Sequence, residues 1–384
     1  MRCLAAHATH PDGRLAARLA LTCLQPQWQG DPPSLGLVYL TDVLAPQAPA
    51  LLDELQALWP ATVWVGAASV GVLADGAEYL DEPAVALFVC DLPTDAFTLF
   101  SGQRPIGAAA AGEALLVHAD PSLPDLPELL AELQARIAPA RLFGGLAASR
   151  TQALQIAGAR LEGGISGLQL RAGAGLRLAL TQGCQPLAAA RQVTASEGGL
   201  VLSLDGEPAL PRLLGDLGLD PQQPQAALPV LRGTLMGLRS AGLPVRRGAA
   251  DVLDDAVRVR PLIGLDLGRQ GLALGELVPA GEALIPCQRH AEAALRDLRR
   301  MATQLRAEVE DDGRRIAGAI YISGAGRGGP HFGAPHAEAQ LLRHALGEVP
   351  TVGFFAGGEV LGGTLYGYSG VLAAFTEPAE ARFQ

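Results

Sequence analysis

Two charges near the C-terminus stand at the ends of apolar runs, each framed by glycines. Ile316 to Ile322 is an apolar run that ends in a glycine-rich loop with one cation, Arg327, between Gly326 and Gly328. Thr351 to Phe355 is a second such run. It ends in Gly357 and Gly358, followed at once by Glu359. A guanidinium among backbone amides suits a carboxylate or phosphate; it equally suits a structural pair with a nearby acid. Glu359 suits either a ligand's ammonium group or Arg327 itself. Ligands usually sit at strand ends of α/β sheets. A cation and an anion on adjacent strand ends would hold a zwitterion such as an amino acid.

Other residues are weighed in the same way. His331 and His336 are five apart and do not share a helix face as an i, i+4 metal pair does. His344 lies too far along to complete a set unless the fold gathers all three. His336 is read as starting a helix and His331 as lining the pocket, and no metal is expected. Gly324, Gly326 and Gly329 spell GxGxxG after a strand, but Pro330 and Pro335 interrupt the place where a dinucleotide-binding helix must begin. Tyr366 and Tyr368 alternate, which puts both on one side of a strand as pocket wall or core. Ser69 and Ser149 lack the G-x-S-x-G elbow of a serine hydrolase.

The elements that must position these groups repeat. Helices are expected over Pro49–Leu58, Pro124–Ile137 and 336–346, each with a leucine-rich stripe. Each is followed by a proline, a short strand and a turn of small residues; in the second copy these are Gly144 and Gly145. The unit occurs three times and is used in both halves of the chain. Strands at 166–170 and 176–181 are read as a hairpin, and 257–266 and 272–277 as two paired strands. The longest helix is expected over Arg289–Val309. The Pro-, Gly- and Gln-rich text between Leu210 and Ala250, with PQQPQ at 221–225, reads as a surface connection and places a domain boundary near residue 205.

Composition narrows the chemistry. Apolar residues make up 49% of the 384 residues and charged ones 18%, the balance of a globular chain. The net charge of −10 argues against nucleic acid and anionic membranes as partners. There is no lysine, which excludes a P-loop, Schiff-base chemistry and pyridoxal phosphate; no cofactor is expected. The 5 cysteines are scattered, without a CxxC pair, and suit a reducing compartment. No secretory signal or membrane span is read, so a soluble cytoplasmic protein is expected.

GAGRGGPHFG at 324–333, the helix start at His336 and Glu338, and GFFAGGE at 353–359 resemble the C-terminal half of the FIST family. LFGGLAAS at 142–149, QGCQPLAAARQVT at 182–194, LDGEPAL at 204–210 and RPLIGLDL at 260–267 fit the same family in order. The family's frequent cysteine before AGRG is replaced by Ser323-Gly324, which weakens the case for thiol chemistry at that loop. The resemblance implies an intracellular small-ligand sensory protein of bacterial signal transduction, with no catalysis. Its ligand would be an amino acid or a related small carboxylate. The expected fold is α/β or α+β, two related halves with mixed sheets flanked by helices, divided as 1–205 and 206–384. The ligand site is expected at Gly144, Gly145, Gly326, Arg327, Gly328, His331, Gly357, Gly358, Glu359 and Tyr366. No output domain is read within the chain, so a separate signalling protein or self-assembly into a homo-oligomer would carry the signal. A nucleotide- or thiol-dependent enzyme and a protein-interaction scaffold are the alternatives.

Overall fold

The structure, a computed structural model, describes residues 1–107, 113–150, 152–220, 225, 227–241, 253–254 and 256–379. The mixed α/β character expected from the sequence is observed. The chain forms two compact units, Met1–Thr181 with Leu298–Gln384, and Gln182–Asp297. The boundary expected near residue 205 falls inside the second of these. Among the described residues no helix is long and apolar enough to cross a membrane.

The first unit is built from the thrice-repeated device. In each copy two parallel strands flank a helix, and a short hairpin follows. The first copy is β1 (Leu35–Thr41), α1 (Ala48–Leu58) and β2 (Val63–Ser69), then β3 (Gly71–Ala74) and β4 (Ala77–Leu80). The second is β5 (Ala114–Ala119), α2 (Leu126–Ile137) and β6 (Arg141–Leu146), then β7 (Leu154–Ala157) and β8 (Arg160–Glu162). The third is β9 (Arg314–Gly324), α3 (Ala337–Leu346) and β10 (Thr351–Ala356), then β11 (Glu359–Leu361) and β12 (Thr364–Tyr366).

No hairpin stays with its own copy. β3 pairs with β10, β7 with β2, and β11 with β6, so each copy extends the sheet of another in a closed cycle of three. Three six-stranded sheets result, equivalent strand for strand. Their strands alternate as period 2 requires. Leu37 and Tyr39, Leu116, and Ile320 and Ile322 face a shared central core; Val38, Leu115 and Tyr321 face outward. On the outer faces α1, α2 and α3 each bury their stripe in a separate cluster.

The three copies share one close approach. Gly66, Gly144 and Gly353 lie opposite Val38, Val117 and Tyr321 on the neighbouring parallel strand. A Cβ there would stand 1.7, 2.0 and 1.6 Å from that neighbour's carbonyl oxygen. The next residues along, Tyr39, His118 and Ile322, are therefore equivalent, and they meet in the central core. Tyr39 Oη lies 3.1 Å from His118 Nε2, with the Phe354 ring against both. Burial pushes the His118 imidazole down to about 3, so it sits in the core uncharged.

Two expected features differ. The strands Ile165–Leu170 and Leu176–Gln182 belong to different sheets. The turn Ala172–Ala174 ends at Gly175 with φ +61°, where the Thr376 carbonyl occupies the place of a Cβ, and this redirects the chain. Tyr366 and Tyr368 do not share a strand either. β12 stops at Tyr366, Tyr368 takes φ +61°, and Ser369–Pro378 continues in another sheet.

The second unit is a sheet closed on itself. Its strands run 283–289, 191–197, 200–204, 271–274, 257–266 and 235–239, and the last pairs back with the first. The interior holds Val193, Val201, Met236, Leu272 and Leu284, with Leu210, Leu213 and Leu214 of the helix Ala209–Asp216. Leu235–Arg239, within the stretch read as a surface connection, is thus a buried strand, hydrogen-bonded on both sides. Of the PQQPQ run only Gln225 lies within the described residues.

Candidate functional site

β9 ends at Gly324, and the chain turns at once. Ala325 N–H donates to the Ala356 carbonyl (2.7 Å) and Arg327 N–H to the Gly324 carbonyl (2.7 Å). This turn, which holds Gly326 and Gly328, points the Arg327 side chain inward, where it is fully buried. Its partner is Glu338, in the first turn of α3, also buried. Arg327 Nε donates to Glu338 Oε1 (2.8 Å), and Nη2 stands 2.8 Å from the same oxygen without an aligned hydrogen bond. Tyr321 Oη donates to Oε1 (2.6 Å) and Ser323 Oγ to Oε2 (2.7 Å). The guanidinium also lies over the Phe332 ring, 5.4 Å from its centroid. Burial works against the charge on Arg327, but the carboxylate of Glu338 outweighs it and holds the group protonated.

Glu359 takes the other side of the strand end. Tyr321 and Ser323 point to the face covered by α3. A Cβ on Gly324 would point to the opposite face, 2.6 Å from Glu359 Oε1. Glu359 Oε2 accepts from Ser369 N–H (3.0 Å) and Ser369 Oγ (2.5 Å). The expected clamp of Arg327 and Glu359 about a zwitterion is therefore not formed. The two charges feel each other, but each is buried with its own partner on its own face.

Burial pushes Glu359 up to about 7, against the opposing pull of Ser369 and Arg327. Its folded value exceeds the ordinary 4.5, so the folded state holds the proton more tightly. That contribution to stability is full below pH 4.5 and is lost as pH rises through 7. Relative to Glu359→Gln, the native protein is expected to lose up to about 3 kcal/mol between pH 4.5 and 8. Urea unfolding of both proteins at these two pH values measures it; a constant difference would show that Glu359 does not titrate there.

The remaining expected site residues divide between sheet and loop. Gly144, Gly145, Gly357, Gly358, Glu359 and Tyr366 come together, as structure. Glu359 is paired with Gly145 on one side and Tyr366 on the other. Gly357 N–H and the Gly358 carbonyl bond the backbone of Leu146 (3.0 and 2.9 Å). His331 stands on the turn Gly329–Phe332 with its ring 4.9 Å from that of Phe332. The helix that GxGxxG would need begins only at Ala337. Among the described residues no group of three His, Cys, Asp or Glu side chains is arranged to hold a metal.

An open cavity of about 460 Å³ lies between β4, the loop after β9 and the start of α3. Glu78, Leu80 and Glu82 line one side; Gly329, Gly333, Ala334, Pro335 and His336 line the other. Its size suits a small metabolite. Glu78 is 5% exposed, and its Oε1 accepts from Ala339 N–H (2.8 Å). Burial raises its pKa, and the nearby Glu338 charge adds to this, against the hydrogen bonds from Ala339 and Gly329. His336, read as a helix starter, does not cap α3 with its side chain. Its Nδ1 accepts from Glu78 N–H (2.9 Å) and its ring forms part of the wall.

Nothing in the sequence singles out Glu78 or Glu82, and Glu338 stands there only as part of a helix start. Glu338 carried a readable signal. With Leu342 and Leu346 it forms an i, i+4, i+8 row on the buried side of α3, an acid on an apolar stripe. Glu78 carried none, since its neighbours across the cavity lie 258 positions away.

The FIST N domain matches residues 34–207 and the FIST C domain residues 211–361. Whole-length relatives include an uncharacterized protein of Mycobacterium tuberculosis, 28% identical over 96% of this chain and 98% of its own. An uncharacterized protein of Mycobacterium bovis is 26% identical over 97% of this chain and 98% of its own. Matched in order by both domains, the chain belongs to the FIST family, whose domains are sensory domains of signal transduction.

Proposed function

We propose that this protein senses a small metabolite, an amino acid or a close relative, without catalysing its turnover, and that the ligand enters the cavity between β4 and α3. The observation that carries the reading is that the cavity wall and the buried ion pair are one piece of chain. Gly329, Gly333 and His336 line the cavity, and Arg327 and Glu338, on either side of them in sequence, are locked together behind it. A ligand that prefers one arrangement of this loop shifts the position of α3, and a separate signalling protein reads the shift. The test is a thermal-shift panel of amino acids, carboxylates and nucleotides with the intact chain. At a hundredfold excess over Kd a ligand of the folded state adds about 2.7 kcal/mol of stability. Ala334→Trp, which fills the exposed mouth, is expected to abolish the shift while leaving the ligand-free melting temperature within about 2 °C. A shift that survives Ala334→Trp places the ligand elsewhere.

A scaffold reading has one observation in its favour. Ile263, Leu267 and Leu277 of the second unit are 63%, 54% and 72% exposed. It gains if no compound in the panel shifts the melting temperature.

A further inference from the structure

Resting on the sensory reading of the same cavity, we infer that the ligand is recognised through a positive charge: the cavity takes an ammonium-bearing molecule and rejects one whose only charge is a carboxylate. The charged side chains that line it, Glu78 and Glu82, are both acids, and no arginine is among the lining residues. The cation nearest in sequence, Arg327, is fully buried and held by Glu338 on the far side of the loop. An anion entering here meets two carboxylates and no cation to offset them. A cation meets the reverse. Glu78 is almost completely withdrawn from water, beside the further charge of Glu338, and its hydrogen-bond donors are the uncharged backbone amides of Ala339 and Gly329. An ammonium group brings the full positive charge that these uncharged amide donors lack. Glu82, exposed at the rim, draws the cation in.

The rest of the wall fits the rest of such a molecule. Leu80, Ala334 and Pro335 offer apolar surface for a short carbon chain. His336 Nδ1 accepts from Glu78 N–H, so the proton of the neutral ring is on Nε2, a donor for a ligand carbonyl or hydroxyl oxygen. An uncharged donor can serve an amide or ester as well as an acid. The ammonium end is thus required and the carboxylate end is not.

The experiment separates the two ends chemically. Calorimetric titration of the intact protein uses alaninamide and 1,4-diaminobutane, which carry ammonium without carboxylate, and N-acetylalanine and succinate, which carry carboxylate without ammonium. The first two are expected to bind, and more weakly as salt rises. Glu82→Gln is expected to weaken them about threefold and Glu78→Gln about tenfold; the glutamine keeps an acceptor for Ala339 N–H. Circular dichroism confirms that both variants are folded. Binding of N-acetylalanine or succinate without the amines overturns the charge inference and leaves the sensory reading standing. Amine binding unchanged in both variants also overturns it, because the cation then sits outside this cavity. Silence from all four compounds at concentrations on the order of 10 mM removes the charge inference alone, because the thermal-shift panel tests the small-ligand reading separately.

Discussion

Glu338→Leu is expected to destabilise the first unit by about 3–5 kcal/mol, the cost of leaving one partner of a buried ion pair without the other. Arg327 is fully buried, and Glu338 is 1% exposed, so water cannot replace the lost carboxylate. The loss reaches further than one pair. Tyr321 Oη and Ser323 Oγ both donate to Glu338, and each would become a buried donor without an acceptor. Glu338→Gln keeps acceptor capacity but not charge and is expected to cost roughly half as much. The double variant Arg327→Met, Glu338→Leu removes both charges from the interior and is expected to recover at least about 1–2 kcal/mol of the single variant's loss. All three tryptophans, Trp28, Trp59 and Trp64, lie in the first unit, so urea unfolding followed by tryptophan fluorescence reports on that unit directly. A loss below about 1 kcal/mol for Glu338→Leu would mean that the pair is open to solvent. Because the pair backs the cavity loop, ligand affinity is expected to fall in the same variant even where the protein remains folded.

The repeated device was legible because its signals are local. A leucine stripe at helical spacing, a proline and an apolar run specify each helix and the strand after it without reference to the rest of the chain. The cycle that joins the copies was not legible. β3, β7 and β11 are three or four residues long, and each finds its partner in a different copy, a choice made by long-range packing. The pairing of Arg327 was hidden for a related reason. In the sequence Glu359 is the acid named beside Arg327, and Glu338 is only part of a helix start. What separates them is the face of β9 that each one meets, which depends on the alternation of the strand and on where α3 packs. The cavity was hidden most completely, since its two acids and its glycine loop come from opposite ends of the chain.

Gly353→Ala is expected to cost about 4 kcal/mol or more, a size reached only when a buried structure has no room to adjust. The glycine is not there for a left-handed backbone. It is there because a Cβ would stand 1.6 Å from the Tyr321 carbonyl oxygen, and that oxygen belongs to β9, which cannot retreat. β9 is held on its other side by Ser369–Pro378 along nearly its whole length. Moving it would also drag Tyr321 and Ser323 away from Glu338. Glycine within a strand marks such a close backbone approach. Gly66→Ala meets the Val38 carbonyl at 1.7 Å and is expected to cost as much. Gly357→Ala is the control. Its Cβ would lie 3.3 Å from the Ala148 side chain, a contact relieved by a small shift, and about 1 kcal/mol is expected. Urea midpoints of the three variants rank the sites. Should Gly353→Ala and Gly66→Ala fall no further than Gly357→Ala, the parallel strands are free to separate, and the threefold repeat is held by its helices and hairpins instead.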